Sequence, residues 1–313
     1  VYVDGKKVID AWTEHSVQMD EAMIKLEAGK TYKLQVEYFD NGGDCFAGLY
    51  WKAPSAGSQN VLARFGDAGK VAAECDVTVA VLGINKSIER EGQDRFSLEL
   101  PVDQQEFIKE LYKVNPNTVV VLVAGSSMAV NWMDENVPAI LNAWYPGEQG
   151  GNAVAEVLFG DYNPGGRLPL TYYNSLDEIP AFDNYSVKGR TYQYFEGQPL
   201  YEFGYGLSYT KFRYKSKGVN VEQDTVKVSF EVSNTGKYDG DEVAQVYVKY
   251  PETGTYMPLK QLHGFKRVHI KKGKTSKVTI GVPKKDLRYW DEQERKFVTP
   301  KGEYTFMVGA SSD

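Results

Sequence analysis

Two cysteines in 313 residues are too few for a disulfide framework. Cys45 and Cys75 could pair only with their Cα atoms within about 7 Å. The expectation is two free, buried thiols, the usual state of unpaired cysteine. Histidine is scarce too, with three in the chain. His15, His263 and His269 show no metal-ligand spacing such as H-E-x-x-H, so neither a metal nor any other cofactor is expected. No apolar run approaches the length that crosses a bilayer. Lys and Arg number 36 against 42 Asp and Glu, giving a net charge of −6 without a basic block. Phosphate contact needs clustered cations, so nucleic-acid binding is disfavoured.

Residues 1–5 lack the basic head and apolar core of a signal peptide. They also lack a methionine and open in mid-strand, so the chain reads as a piece of a longer polypeptide with its targeting signal elsewhere. A secreted or periplasmic location stays open, and so does homo-oligomerisation. Gly125-Ser126-Ser127 lacks the G-x-S-x-G elbow of a serine hydrolase. No Gly-x-x-x-x-Gly-Lys-Ser/Thr phosphate loop exists, and no G-x-G-x-x-G follows a strand, which disfavours nucleotide binding.

What is present divides the chain into three stretches. Residues 1–66 look all-β: Tyr32, Leu34, Val36 and Tyr38 alternate with Lys33, Gln35 and Glu37, a turn follows at 41–44, and 46–51 return as a strand. Turn-rich residues 54–58 place a boundary near residues 54–68. Residues 67–215 change to strand–helix alternation. Residues 77–83 form an apolar run that reads as a fully buried strand. Pro101 opens a helix with Phe107, Ile108, Leu111 and Tyr112 on its apolar stripe, stopped by Asn115-Pro116. Strands at 118–124 and 139–144 and a helix at 148–159 complete a parallel α/β layer. Residues 173–215 are irregular and rich in tyrosine, which favours a strap over a cleft lining. Residues 216–313 return to short strands with the alternation Val226, Val228, Phe230, Val232, the spacing of a β-sandwich. The fold class is therefore α/β plus all-β, a parallel α/β sandwich flanked by a partial β-sandwich and a C-terminal one.

Ligands of open parallel sheets sit at the carboxyl ends of strands. The buried run 77–83 leads into a polar loop, 84–95, holding Glu89, Glu91 and Asp94. Its spelling Glu91-Gly92-Gln93-Asp94-Arg95, with Leu98-x-Leu100-Pro101 behind it, resembles the acid/base loop of glycoside hydrolase family 3, the β-glucosidase-like enzymes. Further matching phrases are Trp144-Tyr145-Pro146-Gly147-x-x-Gly150-Gly151, Gly160-x-x-Asn163-Pro164-x-Gly166-Arg167-Leu168-Pro169 and Phe203-Gly204-Tyr205-Gly206-Leu207-Ser208-Tyr209. Tyr2-Val3-Asp4-Gly5-Lys6 and Leu49-Tyr50-Trp51 resemble half of a protective-antigen-like carbohydrate-binding sandwich. Asn234-Thr235-Gly236 and Leu262-x-Gly264-Phe265 resemble the family's fibronectin type III-like tail.

The resemblance implies a β-linked glucoside or oligosaccharide as substrate. It also implies an N-terminal barrel, carrying the nucleophilic aspartate in a Ser-Asp-Trp-like context, as the partner segment of the same protein. This sequence has no Asp-Trp dipeptide. Retaining hydrolysis needs two carboxyl groups about 5–5.5 Å apart. The family match makes Glu91 the acid/base, with Glu89 as runner-up; Asp94 and Arg95 support the loop, and Trp144 and Glu148 sit at a second strand end. Trp144 reads first as core, and Glu148 as a helix N-terminal charge. An arginine paired with the proton donor would favour its charged form, so Arg95 is expected to turn away from Glu91. The alternative of another class is a non-catalytic carbohydrate-binding protein built from the same modules.

Overall fold

A computed structural model describes residues 1–313 except 15–17, 19, 40, 42–46, 50, 52–60 and 255. The chain divides into two compact units, Val1–Val119 and Val120–Asp313.

The first unit opens with β1 (Tyr2–Val3), β2 (Lys6–Lys7) and β3 (Leu34–Gln35), an antiparallel sheet ordered β2-β1-β3. The strand expected over 31–38 is thus only two residues long. Leu34, Val36 and Tyr38 are all exposed. The expected turn at 41–44, the return strand at 46–51, the boundary near 54–68 and Cys45 lie wholly or partly outside the described residues.

Helix α1 (Ala68–Glu74), strand β4 (Thr78–Gly83) and helix α2 (Val102–Val114) follow. Ile108 and Leu111 of the expected stripe are buried. Pro101 is the N-cap of α2, one position outside the helix. Asn115 ends α2 and ties it to α1, its side-chain amide donating to the carbonyls of Ala72 (3.0 Å) and Cys75 (2.8 Å). Cys75 is exposed with a free thiol, not buried, because it stands in the turn after α1. Strand β4 also departs from expectation. Ala80 and Leu82 are buried, but Val77, Val79 and Val81 are 45–66% exposed. The apolar run is covered on one face only.

Strand β5 (Thr118–Val123) leads into the second unit and pairs in parallel with β6 (Ile140–Asn142), Val121 opposite Leu141. Helix α3 (Asn131–Asn136) connects them, and α4 (Gly150–Phe159) follows, ended by Gly160 in the left-handed conformation at φ 82°. A single-turn helix, α5 (Thr191–Tyr194), interrupts the long irregular stretch.

The rest is a β-sandwich. β7 (Phe212–Val221), β8 (Thr225–Asn234) and β11 (Thr275–Pro283) form one sheet ordered β11-β8-β7; β9 (Gly240–Lys249), β10 (Gln261–Ile270) and β14 (Thr305–Gly309) form the other, ordered β10-β9-β14. Between them in sequence lies a hairpin of β12 (Tyr289–Asp291) and β13 (Lys296–Val298). The alternating Val226, Val228, Phe230 and Val232 meet Ala244, Val246, Val248, Val278, Ile280 and Val282 in one core.

The tyrosines of the irregular stretch do strap. The Tyr209 hydroxyl donates to the Val157 carbonyl of α4 (2.6 Å), and that of Tyr201 to Asp134 of α3 (2.6 Å). The Tyr192 hydroxyl accepts from the Leu262 amide of β10 (3.0 Å). Burial, with the Asp134 carboxylate beside it, pushes the Tyr201 phenol far above its ordinary value, so it stays a donor.

Candidate active site

Both ends of the acidic loop are fixed by the first turn of α2. The Gln104 side chain forms a double hydrogen bond with Gly83 at the end of β4: its Oε1 accepts from the Gly83 amide and its Nε2 donates to the Gly83 carbonyl, each at 2.8 Å. Gln105 Nε2 donates to the Leu100 carbonyl at 2.6 Å, holding the loop's far end. Inside the loop, the Asn85 carboxamide oxygen accepts from the Ser87 amide (2.8 Å) and hydroxyl (2.7 Å), an Asx turn. The Asn85 carbonyl accepts from the amides of Ile88 and Glu89.

The chain then reverses over Arg90–Glu91–Gly92–Gln93. Arg90 and Gln93 exchange two backbone hydrogen bonds (3.1 and 3.0 Å), leaving Glu91 and Gly92 as the two central residues. Gly92 has φ 75°, a left-handed conformation that glycine adopts without Cβ strain. The Gln93 side chain donates to the Ser87 carbonyl, docking the turn on the Asx segment. Glu91 is thereby presented at the tip. It is exposed and makes no hydrogen bond or ion pair among the described residues.

The other charged groups separate around it. Arg95 Nε lies 2.8 Å from Glu89 Oε2, and these side chains are only 10% and 25% exposed. The guanidinium is therefore engaged with Glu89, and Glu91 is left out of that pair. Asp94 is exposed. Of the three carboxylates, one is occupied by a cation and one stands at the turn tip.

In the second unit, Trp144 follows β6, half-buried rather than core, with φ 55°. A left-handed tryptophan is uncommon and marks a sharp bend at a strand end. Tyr145 beside it packs its ring where a Cβ on Gly125 would collide with it, so position 125 has no room for a side chain. Glu148 is exposed, ahead of α4. Among the described residues no group of His, Cys, Asp and Glu is placed to hold a metal ion, and no helix is long and apolar enough to cross a membrane.

The profile of the glycosyl hydrolase family 3 C-terminal domain matches residues 12–209. The chain belongs to glycoside hydrolase family 3. A fibronectin type III-like profile matches residues 242–312, the greater part of the β-sandwich. A β-glucosidase of Kluyveromyces marxianus is 36% identical across 93% of this chain and 36% of its own length. Its crystal structure with glucose superposes at a TM-score of 0.73, covering 79% of this family 3 chain and 31% of that one. A xylan 1,4-beta-xylosidase of Xylanibacter ruminicola is 43% identical across 71% of this chain and 26% of its own length. The chain thus spans about a quarter to two fifths of the curated relatives it matches.

Sequence reasoning missed Gln104 and Asn85. Asn85-x-Ser87 is a legible turn signal, but an amide reaching back 21 residues to a glycine leaves no local pattern.

Proposed function

We propose that this chain is the C-terminal part of a retaining β-glycosidase that hydrolyses terminal β-linked glucosyl residues, with Glu91 as its acid/base and the nucleophilic aspartate on an N-terminal barrel of the same protein. Within it, residues 1–66 belong to a carbohydrate-binding β-sandwich, 67–215 to the α/β sandwich and 216–313 to the fibronectin type III-like tail. The observation that carries the reading is the unpaired carboxylate of Glu91 at the tip of a backbone-closed turn, with Arg95 drawn off by Glu89. Family membership and the β-glucosidase names of its relatives support the reaction class.

In the first step the aspartate carboxylate attacks the anomeric carbon. The glycosidic C–O bond breaks, its electron pair goes to the leaving oxygen, and the Glu91 proton follows to that oxygen. In the second step water attacks the glycosyl ester, gives its proton to Glu91, and the aspartate leaves with its electron pair. A proton donor works best with its pKa near the operating pH. Glu91 is exposed in this chain, so the desolvation that holds a carboxyl protonated would come from the barrel and the sugar covering the turn.

Glu91→Ala in the complete enzyme tests this. Turnover of an alkyl β-glucoside should fall by about 10²–10⁴-fold, the range of a lost proton-transfer group. Turnover of a dinitrophenyl β-glucoside, whose leaving group needs little protonation, should be rescued by azide as the β-glucosyl azide. The 313-residue chain alone should turn over neither. Full activity of the variant, or activity of the isolated chain, would overturn the assignment.

A further inference from the structure

We propose that Glu89 and Arg95 are positioning residues for the proton-transfer step, their ion pair clipping together the two chain segments that carry the Glu91 turn; this rests on the reading of Glu91 as acid/base. Glu89 immediately precedes the turn and Arg95 lies two residues beyond it. The 2.8 Å contact between them closes the base of the turn. The two backbone hydrogen bonds between Arg90 and Gln93 shape the tip but do not fix its direction, since both lie within the four-residue turn. The link from Gln93 to the Ser87 carbonyl joins the two sides at the last residue of the turn itself. The Glu89–Arg95 pair joins the two sides beyond the turn, and it is largely shielded from water, whereas Asn85, Lys86, Ser87, Arg90, Glu91 and Asp94 are exposed.

The pair has a second consequence. Arg95 is the loop's one largely covered cation, and Glu89 neutralises it, whereas Lys86, Arg90 and Asp94 face water, which screens them. Around the loop, Glu99 and Asp103 are the charged groups toward the start of α2, and both are exposed. A guanidinium paired with Glu91 instead would favour its charged form, whereas its role requires the protonated one. Glu89 therefore protects the donor as well as aiming it.

The test uses Glu89→Gln, Arg95→Gln, Arg95→Lys and the swapped pair Glu89→Arg with Arg95→Glu in the complete enzyme. The readout is kcat/KM, which reports the glycosylation step, on an alkyl and a dinitrophenyl β-glucoside. Each neutral substitution should cost about 100-fold on the alkyl substrate, the scale of an ångström's misplacement, and less than about threefold on the dinitrophenyl one. The swapped pair should recover most of the loss. Arg95→Lys should fall between, because an ammonium keeps the charge without the planar fork. If Arg95→Gln does not fold, Glu89→Gln and Arg95→Lys carry the same comparison. Equal losses on both substrates, or none, would overturn the positioning role. Glu91→Gln is measured alongside: if it shows no leaving-group split, the acid/base assignment fails instead, whatever the pair does.

Discussion

Residues 31–38 and 226–232 carry the same alternation of apolar and polar side chains, and they fold differently. In the second stretch Val226, Val228, Phe230 and Val232 are at most 5% exposed, on a ten-residue strand paired on both edges. In the first, the strand is two residues long, and Leu34 on it and Val36 and Tyr38 beyond it are 47–52% exposed. Alternation states which residues share a face. Whether that face is buried depends on an opposing sheet, and β9 supplies one for β8. The exposed Val79 and Val81 of β4, with Val77 just before it, teach the same lesson within the α/β layer.

The sandwich should therefore be sensitive where its partners are, and the largest effect is expected where it meets the 160–210 stretch. Arg167 Nη2 lies 3.0 Å from Glu242 Oε2, with the side chains 8% and 3% exposed, and the Tyr214 hydroxyl donates to Glu242 Oε1 at 2.9 Å. Glu242→Gln strands a buried guanidinium and should cost about 3–5 kcal/mol in denaturant unfolding. Replacing the pair together, Arg167→Met with Glu242→Leu, should cost much less. An equal cost for both would mean that packing rather than charge governs this contact.

A pH experiment sharpens the contrast next. His263 on β10 accepts or donates at 2.7 Å with the Tyr250 hydroxyl, and burial pushes its pKa below the ordinary histidine value. The unfolded chain then binds a proton that the folded one refuses. Stability from this group is present above about pH 6.5 and is lost as pH falls below it toward the folded value. His263→Gln should flatten the melting temperature between pH 7 and 5. A variant as pH-sensitive as the parent would place that titration elsewhere.

Much of this was legible beforehand, for physical reasons that differ by element. The sandwich strands β8 and β11 showed because one face of each is continuously buried. Strand β7 did not, because Lys215, Lys217 and Gly218 interrupt its pattern and the register shifts between Ser216 and Gly218. Six-residue α3 is shorter than the window in which a helical period can be seen. Glu91 was legible as a spelling, and the expectation that Arg95 avoids it followed from charge alone. What draws Arg95 away could not be read, since Glu89 and Glu91 are chemically identical and only the turn between them separates their fates.

The smallest expected effect is also the most direct comparison, because it makes one chemical change in two places. Valine to threonine keeps shape and β-propensity and exchanges a methyl for a hydroxyl. At Val232, fully buried in the sandwich core, the hydroxyl loses water without gaining a designed partner, at about 1–3 kcal/mol. At Val36, half exposed, it stays hydrated, and the change should lie within about 0.5 kcal/mol. Denaturant midpoints of the two variants of this chain measure the difference. Repeating Val36→Thr in the complete enzyme then asks what covers that face: a cost rising toward that of Val232→Thr would show that a further segment buries the first stretch as β9 buries the second.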